Sequence, residues 1–433
     1  MPTHSLRVVP YRAATTCAKQ CCQTSARVKN PMKSHACQCN ITAMEIYLVG
    51  GAVRDKLLDL PVLDNDWVVV GATPDELLDA GYRSVGKDFP VFLHPETHEE
   101  YALARTERKI GPGYHGFDFN TDKSVTLEDD LLRRDLTINA IAQKPDGTLV
   151  DPFNGIQDLE NKTLRHVSDA FKEDPVRVLR VAKFKARFAH RGFTVAPETN
   201  ALMQSMADNG EVDNLVAERV WTELEAALSA ATPSAFFETL IECEALYSVI
   251  PELGQLLLNA QRELTAEGER AISILNIASE YSDNTSIRFA ALCTEFGSNN
   301  KLEEMCQRLR TPGNFKDLAM LSSKYADTVH NVHKLNADEI YQLIKLIDVS
   351  RKPDRFNDLL TVCECDARVR LKSNNKYTQS NKLRSLADAF LDVDAGAIAQ
   401  QCANKADIPT AVANAQTNAI AEYLAISLTS NRH

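Results

Sequence analysis

The chain has 433 residues, of which 44% are hydrophobic and 25% are charged, a composition typical of a globular protein with two to four domains. No stretch approaches 18 uninterrupted apolar residues, which excludes a membrane-spanning helix. The formal net charge of −11 argues against a nucleic-acid partner but does not exclude one, because such binding needs only a local basic face.

Residues 1 to 43 differ sharply in composition from the rest of the chain. They contain six Lys or Arg and no Asp or Glu, and they hold five of the eleven cysteines. An acid-free leader can be an organellar transit peptide, but this one lacks a clear amphipathic period, so we expect a disordered or non-native extension before Met44. The other six cysteines lack the paired spacing of a zinc site, which favours reduced thiols in the cytoplasm.

A glycine pair marks the first candidate site. Residues 46–49 read as a short buried strand and residues 52–58 as a helix, which puts Gly50-Gly51 where the strand turns into the helix. Backbone N–H groups at such a turn can face a phosphate without a side chain in the way, so Gly51 is a candidate phosphate contact. Arg54, one turn into the helix, can add a charged fork to the same phosphate.

Two aspartates follow, just before a second predicted strand at residues 67–70. Asp64 and Asp66 are alternate residues entering this strand, so their carboxylates should point the same way and can share Mg²⁺ ions. A glycine pair alone is usually a turn, and Asp-x-Asp alone is usually a surface loop. Their order and surroundings together indicate metal-assisted nucleotidyl transfer.

The stretch from residue 48 to 66 closely resembles the nucleotidyltransferase superfamily of DNA polymerase beta. Within it the chain resembles the class II tRNA nucleotidyltransferases, or CCA-adding enzymes, a bacterial family that includes poly(A) polymerases. The resemblance extends over roughly residues 44–250 and implies an α+β fold. A nucleotidyltransferase head with a small mixed sheet would occupy residues 44–168. A helical neck at 169–250 and a helical body and tail at 251–433, with a tRNA-binding role, would follow.

Further strands predicted in the head suggest a third carboxylate. Residues 90–94 and 100–105 look like two strands joined by a turn. Polymerases of this superfamily need a third carboxylate on a neighbouring strand, and the resemblance makes Glu100 the candidate, with a salt-bridged edge residue as the alternative. The Gly-rich segment 106–122 is expected to be a mobile loop, which in the family helps the switch from C to A addition.

The next candidate lies in residues 127–142, whose apolar spacing predicts a helix packed on the sheet. Arg133-Arg134-Asp135 within it would in an arbitrary sequence be a solvated salt-bridge network. Here it matches the family's Arg-Arg-Asp motif. The match implies that Arg134 contacts the ribose or triphosphate of the nucleotide and that Asp135 holds the helix and the sugar pocket in place.

A second helix carries the candidate base-reading residues. Asp174 suits the cap of a helix that starts at Pro175, and Asp174, Arg177 and Arg180 are spaced three apart along one stripe. An Asp acceptor and an Arg donor at this spacing can present a fixed hydrogen-bonding edge to a base, although an ordinary capped amphipathic helix would look the same.

In the family, the Glu-Asp-x-x-Arg motif is a protein template that reads cytosine and adenine, and Asp174 and Arg177 match its positions. Arg180 and Lys183 would then contact the nucleotide. Lys183 stands where relatives commonly have Arg, which keeps the charge and loses the planar fork.

The resemblance weakens after residue 250. Residues 288–297 look like the signature of a metal-dependent phosphohydrolase domain that some relatives carry, with Thr294-Glu295 in place of His-Asp. No histidine occurs between His190 and His330, so we expect no hydrolase metal site there. Near the end, residues 368–384 contain six basic residues and no acid, which suggests contact with an RNA backbone.

Taken together, the residues and the resemblance predict an enzyme that adds CCA to the 3′ end of tRNA from CTP and ATP, without a nucleic-acid template and with release of pyrophosphate. Two Mg²⁺ ions would be held by Asp64 and Asp66. A poly(A) polymerase, or an enzyme that adds only CC or only A, is the nearest alternative. A catalytically inactive RNA-binding homologue is a more distant one. The oligomeric state stays open.

Overall fold

A computed structural model describes residues 44–85, 91–109, 117–297, 300–371 and 377–430. The predicted N-terminal extension, residues 1–43, lies outside the described residues. The predicted α+β fold is confirmed: a mixed sheet in the first part of the chain is followed by helices. Among the described residues, no helix combines the length and the apolar character that crossing a membrane requires.

The strands of the described chain pair mainly in one sheet. They are β1 (Glu45–Val49), β2 (Asp66–Val70), β3 (Arg83–Val85), β4 (Val91–Leu93), β5 (Glu100–Leu103), β6 (Thr106–Lys109), β7 (Phe117–Asn120), β8 (Ala142–Gln143), β9 (Leu149–Val150), β10 (Thr163–Leu164) and β11 (Thr194–Val195). The main sheet has the order β3-β4-β5-β2-β1-β8-β9. Its neighbours are antiparallel except for β2 and β5, which run parallel and place Asp66 opposite Glu100.

Helices make up most of the remaining chain. They are α1 (Gly51–Leu57), α2 (Pro74–Asp79), α3 (Leu127–Leu132), α4 (Gly155–Glu160), α5 (Val176–Phe188), α6 (Pro197–Asp208), α7 (Ala217–Leu228), α8 (Ser234–Glu242), α9 (Leu246–Val249), α10 (Pro251–Leu257), α11 (Ala266–Tyr281), α12 (Thr285–Leu292), α13 (Lys301–Arg308), α14 (Gly313–His330), α15 (Ala337–Ile347), α16 (Pro353–Leu371), α17 (Thr378–Leu391), α18 (Ala395–Gln401) and α19 (Ile408–Ser430). Short 3₁₀ turns connect some of them, at Thr137–Asn139, Asp169–Glu173, Ala189–Arg191, Thr294–Phe296 and Lys405–Asp407.

The helix predicted over residues 127–142 is wrong in its second half. α3 ends at Leu132, and the chain then passes through the 3₁₀ turn and enters β8. A physical reason lies at Asp135, whose carboxylate accepts a hydrogen bond from the backbone N–H of Leu136 at 2.8 Å. A side chain that bonds its own backbone in this way competes with the helical hydrogen-bond ladder.

The prediction of a mobile loop over residues 106–122 is also wrong for its two flanks. β6 and β7 pair as antiparallel strands, with Thr106 opposite Asn120. Residues 110–116, which contain all three glycines on which the prediction depended, lie outside the described residues.

Helix α5 positions much of the candidate site. Its apolar residues Val178, Leu179, Val181 and Ala182 are fully buried in the largest core, which extends from α1 in the first part of the chain to α19 near the end. Burial of this face turns the stripe of Arg177, Arg180 and Lys183 toward the opposite side. The amphipathic pattern therefore fixes which side of α5 can meet a ligand.

Candidate active site

Most of the candidate residues line one cleft of about 1040 Å³. It is lined by the main sheet, the turn after β1, residues 133–139, α5 and part of α7. Of the predicted site residues, those that line it are Gly51, Arg54, Asp66, Glu100, Arg134, Asp174, Arg177, Arg180 and Lys183. Its volume is at the upper end of what a small-molecule site needs, which leaves room for a nucleotide and the end of a second substrate.

Within the glycine turn, Gly50 is the position that most strictly requires glycine. This residue has φ 69° and ψ −129°, and a Cβ atom there would lie 2.9 Å from Nη1 of Arg134. A Cβ atom on Gly51 would lie 3.5 Å from Arg54, which is ordinary contact. The sequence singled out Gly51, whereas backbone conformation and space together require glycine at Gly50.

Arg54 links α1 to other parts of the cleft. Its Nη1 donates to Oδ1 of Asn139 at 2.6 Å, its Nε donates to Oδ1 of Asp55 at 2.9 Å, and its guanidinium lies 5.0 Å from the ring centre of Phe184 on α5. The residue is only 3% exposed, and this burial lowers its pKa. Much of the hydrogen-bonding capacity of the Arg54 guanidinium is therefore used inside the protein, and the rest of the group faces the cleft.

The aspartates differ in position from the prediction. β2 begins at Asp66, and Asp64 lies before it, exposed and outside the residues that line the cleft. The reason is that Asp66 pairs with Val49, the last residue of β1, and the chain of β1 turns away at Gly50. Asp64 therefore lies outside the strand, and the alternation of side chains along β2 does not determine where its carboxylate points. The charge of Asp64 nevertheless acts on Asp66.

The pKa of Asp66 is raised above its ordinary value. Loss of surrounding water is the main cause, the charge of Asp64 adds to it, and the nearby Arg134 opposes it. Among the described residues, no three His, Cys, Asp or Glu side chains converge as a ready metal cage. Mg²⁺ usually binds one or two protein carboxylates and takes its remaining ligands from water and substrate phosphates. A carboxylate in the cleft at Asp66, with the like charge of Asp64 acting on it, fits such an ion.

Glu99 is a residue that the sequence analysis missed. Its Oε1 accepts from Nδ2 of Asn65 at 2.7 Å and its Oε2 accepts from Nε1 of Trp67 at 3.1 Å. Asn65 and Trp67 are the two neighbours of Asp66, so Glu99 holds the side chains on both sides of it. The only signal in the sequence was that Glu99 and Glu100 are adjacent acids at the start of one strand.

Arg134 reaches the cleft from the end of α3. Its Nη2 donates to Oδ2 of Asp130 at 3.0 Å, while Nη2 of Arg133 donates to Oδ1 of the same carboxylate at 2.8 Å. Asp130 is fully buried. The two arginines therefore share one anchor, and the guanidinium of Arg134 lies beside Gly50 at the strand-to-helix turn.

Asp135 also lines the cleft, as a buried carboxylate. Its carboxylate accepts from Nε of Arg180 at 2.7 Å and from Nδ2 of Asn139 at 2.9 Å, and the residue is 6% exposed. Burial by itself would raise the pKa of Asp135, but the charge of Arg180 and these hydrogen bonds outweigh it and hold the pKa well below its ordinary value. Asp135 therefore ties residues 133–139 to α5 as an ionised group.

Arg177 is anchored to backbone carbonyls. Its Nη1 donates to the carbonyl of Ala170 at 2.8 Å and its Nη2 donates to that of Arg133 at 2.6 Å. The residue is 7% exposed and lines the cleft. Because both terminal nitrogens have fixed partners, the guanidinium plane is held in one orientation.

Helix α7 supplies two further residues that sequence reasoning missed. Arg219 donates from Nη1 to Oδ1 of Asp174 at 3.1 Å and from Nη2 to Oδ2 at 2.7 Å. One turn later, Oε2 of Glu223 lies 2.5 Å from Nζ of Lys183 and its Oε1 lies 3.9 Å from Nη1 of Arg180. Sequence reasoning placed this segment in the helical neck and named no site residue in it. Its Arg-x-x-x-Glu spacing, one helical turn, was the available signal.

The region that resembles a phosphohydrolase signature is held together by ion pairs. Glu295 lies in the 3₁₀ turn after α12, and Nη2 of Arg270 and Nη2 of Arg370 contact its two oxygens at 2.9 and 2.8 Å. Arg370 also pairs with the fully buried Asp366 at 2.8 Å. Part of the predicted basic run is thus engaged within the protein; the guanidinium of Arg368 lies 4.4 Å from the ring centre of Tyr281.

Two family models match the chain. One, described as the poly A polymerase head domain, matches residues 46–165. The other, described as a probable RNA- and SrmB-binding site of polymerase A, matches residues 192–257. The first contains the glycine turn, the carboxylates and residues 133–135, and the second contains Arg219 and Glu223.

Relatives with assigned names are similar over nearly their whole length. The multifunctional CCA protein of Chromobacterium violaceum is 50% identical over 403 residues, which cover 88% of this chain and 98% of the relative. The multifunctional CCA proteins of Dechloromonas aromatica and Teredinibacter turnerae are 48% and 47% identical, and 98% and 97% of their lengths are covered.

Solved structures share the fold at lower identity. A CCA-adding enzyme in complex with CTP superposes with a TM-score of 0.63 at 19% identity, covering 90% of this chain and 92% of that one. The Thermotoga maritima CCA-adding enzyme complexed with tRNA-CCA gives a TM-score of 0.62 at 20% identity, covering 89% and 92%. The arrangement of head sheet and helices is therefore common to these proteins.

Proposed function

Because this chain belongs to the class II CCA-adding enzymes of the poly(A) polymerase family, we propose that its 1040 Å³ cleft is the site where CTP and ATP are joined to tRNA. The chain is a CCA tRNA nucleotidyltransferase, with tRNA, CTP and ATP as its substrates. The observation that carries the proposed site is the convergence in one cleft of Asp66, Glu100, the glycine turn and the polar stripe of α5.

The reaction joins the tRNA 3′-hydroxyl oxygen to the α-phosphorus of the nucleotide, breaks the bond to the β-phosphate, and releases pyrophosphate and the hydroxyl proton. We propose that Asp64 and Asp66 hold two Mg²⁺ ions, with Glu100 as the third carboxylate. When bound, such ions favour the attacking oxygen as an anion and offset charge on the departing pyrophosphate. The position of Asp66 opposite Glu100 in the cleft supports this, and so does its raised pKa, because a cation would offset both the loss of water, which is the main cause of the shift, and the charge of Asp64.

We propose that the triphosphate lies at the glycine turn. The backbone at Gly51 begins α1, and Arg54 and Arg134 both face the cleft there. Nη1 of Arg134 lies where a Cβ on Gly50 would touch it, so the turn and this guanidinium are close enough to contact one phosphate group. Arg180 and Lys183 would add positive charge from α5.

Base selection is proposed to depend on Asp174 and Arg177. Cytosine and adenine both present an amino group beside an unprotonated ring nitrogen, whereas uracil and guanine present a carbonyl oxygen beside an N–H. A carboxylate acceptor at Asp174 and a guanidinium donor at Arg177 match the first pattern and oppose the second. The fixed orientation of Arg177 supports this role, because a template must keep its hydrogen-bonding directions.

We further propose a cytoplasmic location. The cysteines of the described residues are free thiols, and nearly all of them are buried. Free thiols are typical of a reducing compartment.

The test of the site is nucleotide addition to tRNA that lacks its 3′ end, resolved at single-nucleotide length. With CTP and ATP together we expect three additions; with CTP alone, two. Asp66→Asn should abolish all of them, whereas Glu96→Gln, which alters an exposed carboxylate in the turn between β4 and β5, should leave them unchanged. An open-ended run of A would favour poly(A) polymerase activity, and full activity of Asp66→Asn would show that the proposed metal site is wrong.

A further inference from the structure

We propose that Arg219 is a positioning residue for base selection: it holds the carboxylate of Asp174 in the orientation that accepts the amino group of cytosine or adenine. This rests on the proposed role of Asp174 and deepens it by naming what orients the acceptor. Asp174 lies just before α5 and Arg219 lies on α7, so the contact joins two separate elements.

The geometry leaves Asp174 little freedom. Nη1 and Nη2 of Arg219 donate to its two oxygens at 3.1 and 2.7 Å, and the backbone N–H of Val176 donates to Oδ1 at 3.1 Å. A carboxylate has about four acceptor directions. These three bonds use two directions on Oδ1 and one on Oδ2, so the direction that remains for a base is on Oδ2.

The pairing of both Arg219 nitrogens with both carboxylate oxygens also fixes the plane of Asp174. A bidentate guanidinium is more restrictive than a single ammonium contact, because two parallel hydrogen bonds hold both oxygens. The side chain of Asp174 is 18% exposed and that of Arg219 is 33% exposed, and both line the cleft. Both side chains therefore border the cleft, and we assign the base to the acceptor direction that remains on Oδ2.

This orientation explains how the acceptor would reject the wrong base. The O4 of uracil or the O6 of guanine, placed where the amino group belongs, would meet an ionised oxygen with no hydrogen between them. Rejection requires that Asp174 cannot turn away. Without Arg219 the carboxylate retains only the bond from Val176 and can rotate, so the penalty against UTP and GTP falls.

The same face of α7 supports α5 at a second point. Glu223 contacts Lys183 one turn after the contact of Arg219 with Asp174. Two contacts along one face indicate that α7 holds the stripe of α5 in register with the cleft. Glu218 on the same helix makes no contribution to the cleft lining. It pairs instead with the largely exposed Arg310, which also lies outside the cleft.

The experiment measures discrimination, as the ratio of kcat/KM for CTP over UTP and for ATP over GTP, on tRNA ending before the relevant position. Arg219→Gln should lower both ratios about 10- to 100-fold, the usual cost of a misplaced reacting or recognising group. Arg219→Lys should give an intermediate loss, because it keeps the charge without the fork. Arg310→Gln, which also removes an arginine paired with an acid of α7, should leave both ratios unchanged.

Asp174→Ala and the double variant separate the possible failures. If Asp174→Ala keeps normal discrimination, the proposed template is wrong. If Asp174→Ala loses discrimination and Arg219→Gln keeps it, only the role of Arg219 is wrong. If Arg219 acts through Asp174, the double variant should match Asp174→Ala alone; an additional loss would overturn the inference. Because both nucleotides are measured on one sample, the ratios do not depend on the fraction that is folded.

Discussion

Asp66 and Glu100 lie opposite each other in the parallel pair of β2 and β5, and both line the cleft. Residues in register on neighbouring strands project from the same face of a sheet. The two carboxylates therefore face one space, although the chain between them passes through α2, β3 and β4. This relationship supports Glu100 as the third carboxylate, and it can be tested directly.

We expect Glu100→Gln to lower kcat by about 10²- to 10³-fold, the size of effect seen when a group that stabilises transition-state charge is removed. The change keeps the size of the side chain and removes its charge. Single-turnover CMP incorporation would measure the effect, with thermal unfolding as a check on folding. Normal turnover with a lowered melting temperature would instead show a salt-bridged edge residue.

Glu99→Ala should weaken the apparent affinity for Mg²⁺ without removing a proposed metal ligand. The side chains of Asn65 and Trp67 would lose their shared acceptor, so the two residues that flank Asp66 would be held less firmly. Loss of a group that orients metal ligands typically costs about 10- to 100-fold in metal affinity or activity. The Mg²⁺ concentration for half-maximal rate should rise accordingly. An unchanged Mg²⁺ dependence would contradict the role given to Glu99.

Gly50→Ala should destabilise the protein and weaken nucleotide binding. Gly50 has φ 69° and ψ −129°, a sparsely populated conformation that costs a residue with a Cβ about 1–3 kcal/mol, and the new methyl would press on Nη1 of Arg134. Gly147→Ala is the matched control, because Gly147 has φ 91° and an added Cβ would meet nothing within 4 Å. Both variants should lose stability, and only Gly50→Ala should show a raised KM for CTP and ATP. Equal KM values would remove Arg134 from the triphosphate site.

Asp135→Asn should lower the free energy of unfolding at pH 7 by about 3 kcal/mol. This value is at the lower end of the cost of breaking a buried ion pair, because the partner Arg180 is 37% exposed. The folded-state pKa of Asp135 lies below its unfolded value. Its stabilising contribution is therefore present above the unfolded pKa of about 3.9 and is lost as the pH falls toward the folded pKa. Urea unfolding from pH 7 to pH 3 should show the gap between wild type and variant narrowing only below about pH 4. A gap that stays constant would contradict the assigned cause.

Local patterns predicted the first part of the fold well. The strand, glycine turn and helix at β1 and α1 are confirmed, as are α2 and the two strands β4 and β5. These elements follow from short-range periodicity and from residues that favour turns, which a sequence displays directly. Prediction was wrong after Leu132, because the bond from Leu136 N–H to Asp135 and the pairing of β8 with β1 outweigh the helical spacing of the leucines and isoleucines.

Residues 236–249 keep a helical period of apolar residues, but a single helix predicted from that period would be wrong. The segment is two helices, α8 and α9, separated at Cys243 to Ala245. Glu244 there has φ 58°, a left-handed conformation that ends a helix. Glycine is the usual residue at such a position, so a glutamate there does not signal the break.

The sequence by itself determined the family and the chemical groups of the site, because each motif is a run of adjacent residues whose identities are visible without a fold. Only the tertiary structure decided how those groups are held. Asp174 is fixed by Arg219, 45 residues later, and Asp135 by Arg180, also 45 residues later. Such pairs depend on which faces of α5 and α7 the core buries, and burial is settled by the packing of the whole chain.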